Sequence, residues 1–87
     1  MADYHLGEIE SIFADIIWSN APLTSRLLAE LAEQRLRWKR TTTYTVLKRL
    51  CDRGLFQNQG GTVTALVSRE EFYARQSEQY VQDAFQG

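Results

Sequence analysis

One cysteine, one histidine, one proline and one methionine are all that this 87-residue chain holds of those four residues. A lone cysteine, Cys51, excludes an internal disulfide and any cysteine-built metal site, and it reads as a buried, inert thiol. With His5 near the N-terminus as the one imidazole, no Ser/His/Asp or Cys/His catalytic set can form. Glycine is sparse, and Gly60-Gly61 opens no helix, so no phosphate-cradling loop is present. No cofactor is expected, and the chain does not read as an enzyme. Apolar runs stop after a few residues, as in "IIW" at residues 16–18, too short to span a bilayer. The N-terminal stretch has no Lys or Arg and does not resemble a secretory signal. The expectation is a cytoplasmic protein with no membrane partner. Charged residues make up 24% and hydrophobic residues 44%, which excludes a disordered chain and suits one modest core.

The formal net charge is −1, but its distribution is uneven. Residues 1–25 carry four acids and no Lys or Arg. Residues 26–53 carry eight bases (Arg26, Arg35, Arg37, Lys39, Arg40, Lys48, Arg49, Arg53) against three acids. Residues 54–87 carry two bases against four acids. A phosphate backbone responds to local potential, so the central basic block outweighs the total.

Leu6, Ile9, Phe13, Ile16 and Ile17 recur at spacings of three and four, which predicts one amphipathic helix. "SNAP" at residues 19–22 ends it with turn formers. Thr24 is placed to cap a second helix with a buried stripe of Leu27, Leu28, Leu31 and Leu36. A basic connector, "RLRWKR", leads to a third helix over residues 41–53, which Thr41 or Thr42 would cap. There Thr43, Leu47, Leu50 and Gly54 share one face, flanked by Val46 and Cys51. Thr42, Thr45, Lys48, Arg49 and Asp52 share the other. Gly54 is where a left-handed residue would stop the helix.

The period then becomes alternating. "LFQNQ" and "TVTAL" flank Gly60-Gly61, a two-residue hairpin signal. "SREE" at residues 68–71 has capping-box spacing and predicts a fourth helix starting near Arg69. The fold expected is mainly α with a small β-hairpin: a winged helix-turn-helix over residues 1–67, followed by a C-terminal helix over 68–87.

In that fold the third helix enters the major groove with its N-terminal residues nearest the bases. Threonine suits the position, being short, with a hydroxyl for bases or phosphates and a methyl for thymine. Tyr44 can donate its phenol to a phosphate, while Lys39, Arg40 and Lys48 neutralise backbone charge. The alternative is a winged helix that binds an acidic protein partner and no DNA.

The stretch "IIWSNAPLTSRLLAELAEQRLRWKRTTTYTVLKRLCDRGLF", followed after the hairpin by "LVSREEFYARQSEQYVQDAF", resembles the penicillinase-repressor family of bacterial regulators. The specific pieces are "IIW", the "W..TT.YT.LKRL" pattern and "SREE". The resemblance implies a homodimeric repressor on a palindromic double-stranded operator, with Thr41, Thr42, Tyr44, Thr45 and Lys48 on DNA and Arg40 or Lys39 on phosphate. Arg49, on the same basic helix, joins this set. The resemblance assigns the fourth helix to dimerisation, through Phe72, Tyr73, Tyr80, Val81, Ala84 and Phe85; the alternative is that Tyr80, Ala84 and Phe85 pack back on the first helix as part of a monomer's core. Two departures are visible. The wing "QNQGGTVT" has no basic residue, so its contacts are expected to be weak or merely polar. The further helices and the cleavage site that relatives carry are not in this sequence, so no regulatory protease is inferable from it.

Overall fold

A computed structural model describes residues 6–76. Helix α1 spans Glu8–Asn20, strand β1 Leu23–Thr24, helix α2 Ser25–Leu36 and helix α3 Arg40–Asp52. Strands β2, Phe56–Gln59, and β3, Thr62–Ala65, follow, and α4 occupies residues 69–76. The arrangement is the winged helix expected from the sequence, with one addition. The two-residue β1 pairs with β3, Leu23 opposite Val63, to give an antiparallel sheet ordered β1-β3-β2.

Local chemistry explains the boundaries. Glu10 accepts from the Gly7 N–H at 3.3 Å, tying off the start of α1. Thr24 Oγ1 accepts from the Leu27 N–H at 3.0 Å and caps α2. Gly54 has φ of 85°, and its N–H donates to Cys51 while that of Leu55 donates to Leu50, at 3.0 and 3.2 Å. Those two bonds form a Schellman stop for α3. Gly60 and Gly61, with φ of 60° and 87°, supply the two positive dihedrals of a type I′ hairpin turn. Ser68 Oγ accepts from the Glu71 N–H at 3.0 Å at the head of α4.

Three of these expectations need correction. Thr41 and Thr42 do not cap α3, because the helix begins one residue earlier and Lys39 holds the cap position without a side-chain bond. Leu27 is 41% exposed; the buried face of α2 is Leu28, Ala29 and Ala32, with Leu31 and Leu36 half-buried. The two alanines let neighbouring helices approach closely and turn the stripe away from Leu27. Ile9 is 51% exposed. A spacing rule assumes cover along the whole helix, and the first turn of α1 lacks it.

The core joins Phe13, Ile16 and Ile17 of α1 to Leu28, Leu47, Leu50, Leu55, Phe56, Val63 and Phe72. Each such large side chain stabilises the fold by about 2 kcal/mol when fully buried. Trp18 knits α1, the sheet and α4 together. Its ring lies 5.4 Å from those of Phe56 and Phe72, and its Nε1–H donates to the Val67 carbonyl at 2.8 Å. Arg69 fastens α4 to the end of α1, donating from Nε to Asp15 Oδ1 at 3.1 Å and from its other end to Ser19 Oγ at 2.8 Å.

Candidate nucleic-acid interface

Trp38 decides how α3 meets solvent. Its indole packs on Phe13 with ring centroids 5.1 Å apart, anchoring the chain just before the helix. The buried face of α3, Thr43, Val46, Leu47 and Leu50, then seats on the core. Helical period forces the intervening residues outward. Lys39, Arg40, Thr41, Thr42, Tyr44, Thr45, Lys48 and Arg49 are all exposed.

They form ordered rows. Arg40, Tyr44 and Lys48 follow one another at intervals of four, as do Thr41, Thr45 and Arg49, so each set makes a ridge along the helix. The Tyr44–Lys48 end of the first ridge borders the wing, where Tyr44, Leu47, Lys48, Cys51 and Asn58 line one groove of about 300 Å³. The second ridge ends toward α1. Arg49 lies 3.4 Å from Glu10 Oε2, and Arg53 lies 3.9 Å from the other Glu10 oxygen. Glu10 thus draws Arg49 to the margin of the face and offsets part of its charge.

The hydroxyls within the rows differ in what they can offer. Thr45 Oγ1 donates to the Thr41 carbonyl at 2.8 Å, so its proton is engaged and its lone pairs and methyl remain available. Thr43, expected on the buried face, is there, wholly inaccessible, and its hydroxyl has no partner among the described residues. Cys51, expected to be buried, is half-buried and lines the groove. That burial pushes its thiol up from its ordinary pKa; the Asn58 backbone opposes the shift and the nearby Asp52 charge adds to it.

On the wing, Gln57, Asn58, Gln59 and Thr62 are exposed and uncharged. Asn58 was absent from the residues expected to form the site. Its only signal in the sequence was the wing's wealth of amides, because its place beside Lys48 depends on how β2 crosses α3.

The proposed dimer residues divide. Phe72 is wholly buried in this chain's own core against Trp18, which removes it from any outer face. Tyr73 is exposed beside it, with ring centroids 5.3 Å apart. Tyr80, Val81, Ala84 and Phe85 lie outside the described residues. Among the described residues no helix is long and apolar enough to cross a membrane.

Comparison with known proteins gives one result beyond this geometry. Residues 6–87 match the family model described as Penicillinase repressor. No curated protein and no solved structure matches the chain.

Proposed function

The chain belongs to the penicillinase repressor family, and on that premise we propose that it is a sequence-specific DNA-binding repressor that holds a palindromic operator as a homodimer. The observation that carries the reading is the exposed face of α3. A slim, threonine-rich N-terminal half is flanked by Lys39, Arg40 and Lys48, and Trp38 props it outward. A helix of that shape enters a major groove without long side chains holding it off the floor.

The mechanism is occlusion. Phosphate contacts from Lys39, Arg40, Tyr44 and Lys48 set the register, and Thr41, Thr42 and Thr45 meet base edges. Two copies related by a two-fold axis place their α3 helices in major grooves about 34 Å apart or a multiple of that, covering the promoter between them. The exposed part of α4, with Tyr73, is the surface on which this reading places the dimer.

Binding to duplex DNA across a salt series tests the proposal. If about three phosphates are neutralised per subunit, log affinity falls against log salt with a slope of roughly −5 for a dimer. Sequences selected from a random duplex pool should carry an inverted repeat. A flat salt response, or no duplex binding at low salt, would sink the reading in favour of a protein-binding module.

A further inference from the structure

The groove between α3 and the wing has a composition of its own. Lys48 and Tyr44 stand one turn apart on its helix side, Asn58 of β2 faces them, and Leu47 and Cys51 complete the lining. Lys48 is the one charged group of the lining, and the Asp52 carboxylate acts on Cys51 from outside it. The two walls are seated on one core. Phe56, next to Asn58 but one, is buried with Leu47 and Leu50, which holds β2 against α3 at this point.

We propose that this groove seats one phosphodiester of the DNA backbone, with Asn58 as a contact shared between wing and recognition helix. This rests on the DNA-binding reading above and adds to it a residue and a place. The chemistry of the lining selects the occupant. One ammonium matches the single negative charge of a diester, and the Tyr44 hydroxyl and Asn58 amide are neutral donors for its remaining oxygens. A wing without Lys or Arg therefore still fixes register, through a hydrogen bond, and adds nothing to the salt dependence. Leu47 and Cys51 would lie beneath the seated phosphate, so DNA would cover the thiol.

Cys51 makes the seat observable. The unmodified chain is treated with a neutral maleimide at mildly alkaline pH, alone, with selected duplex, and with inorganic phosphate at the same phosphate concentration. Duplex should abolish most of the alkylation and inorganic phosphate should not. In parallel, Asn58→Ala should weaken duplex binding about fivefold per subunit with an unchanged salt slope. Asn58→Asp should weaken it much further by placing like charge against the diester, and Asn58→Lys should steepen the slope by about one unit per subunit. Thermal melts of the three variants, all at an exposed position, check that each is folded. The proposal is overturned if bound duplex leaves Cys51 as reactive as before, if inorganic phosphate protects equally, or if the Asp and Ala variants bind alike. Failure of the unmodified chain to bind any duplex is a different result, and it would remove the functional reading itself.

Discussion

Thr45 Oγ1 donates to the carbonyl oxygen of Thr41, 2.8 Å away and one helical turn back along α3. A hydroxyl committed in this way presents lone pairs and a methyl outward, not a proton. The methyl is the group suited to thymine. Thr45→Ala is therefore expected to cost on the order of 1 kcal/mol on the preferred duplex and little on random DNA. Thr45→Val, which keeps the methyl, should retain most of the affinity. Paired titrations of both variants on both duplexes decide it; equal losses on random and preferred DNA would remove Thr45 from the base-reading set.

Lys48 differs from Thr45 in kind, because an ammonium at a phosphate carries no sequence information. Lys48→Ala should weaken all duplexes alike and flatten the salt slope by about one unit per subunit. Arg49→Ala should flatten it less, since Glu10 lies 3.4 Å from its guanidinium in the protein without DNA. The two slopes, measured over the same salt series, rank the residues. A larger change for Arg49 would place the phosphate path on the α1 side of the recognition helix.

The architecture was legible wherever a local rule and the global fold agree. Gly60-Gly61 announced the hairpin because both residues need positive φ, and Ser68 announced α4 because its hydroxyl has a fixed reach to Glu71. The exposed rows of α3 followed from helical period. Features made by long-range meetings could not be read this way. Strand β1 has two residues and no period, and it is a strand only because Val63 lies beside Leu23. Asn58 stands in the groove through the crossing of β2 over α3, and Glu10 meets Arg49 from 39 positions away along the chain. Phe72 looked free for a partner because the ring that receives it, Trp18, lies far earlier in the chain.

Arg37 ends α2 with φ of 58°, its N–H donating to the Glu33 carbonyl at 3.0 Å. A side chain in that left-handed conformation costs roughly 1 kcal/mol that glycine avoids. Glycine in turn loses more conformational freedom on folding, which returns part of the gain. Arg37→Gly should therefore stabilise the domain by about 0.5 kcal/mol, raising Tm by a few degrees, about 2–4 °C. Arg37→Val, β-branched, should lower it. Thermal unfolding followed by circular dichroism reads both, and a lower Tm for the glycine variant would contradict the strain.

Thr43 presents the sharpest mismatch between a side chain and its surroundings. It is wholly buried beneath the exposed face of α3, and its hydroxyl has no hydrogen-bond partner among the described residues. Leaving such a group without its water costs about 1–3 kcal/mol, whereas valine fills nearly the same volume with nothing to satisfy. Thr43→Val is accordingly expected to stabilise the domain by about 1 kcal/mol, or roughly 4–8 °C in Tm. Thr43→Ser should move the other way, since it keeps the orphaned hydroxyl and removes a packed methyl. Neither change alters an exposed residue, so duplex affinity at a temperature where both variants are folded should stay at the wild-type value. A valine variant less stable than the parent would mean that the hydroxyl finds a partner in solution. Unchanged stability with weakened DNA binding would mean instead that Thr43 sets the posture of the recognition helix.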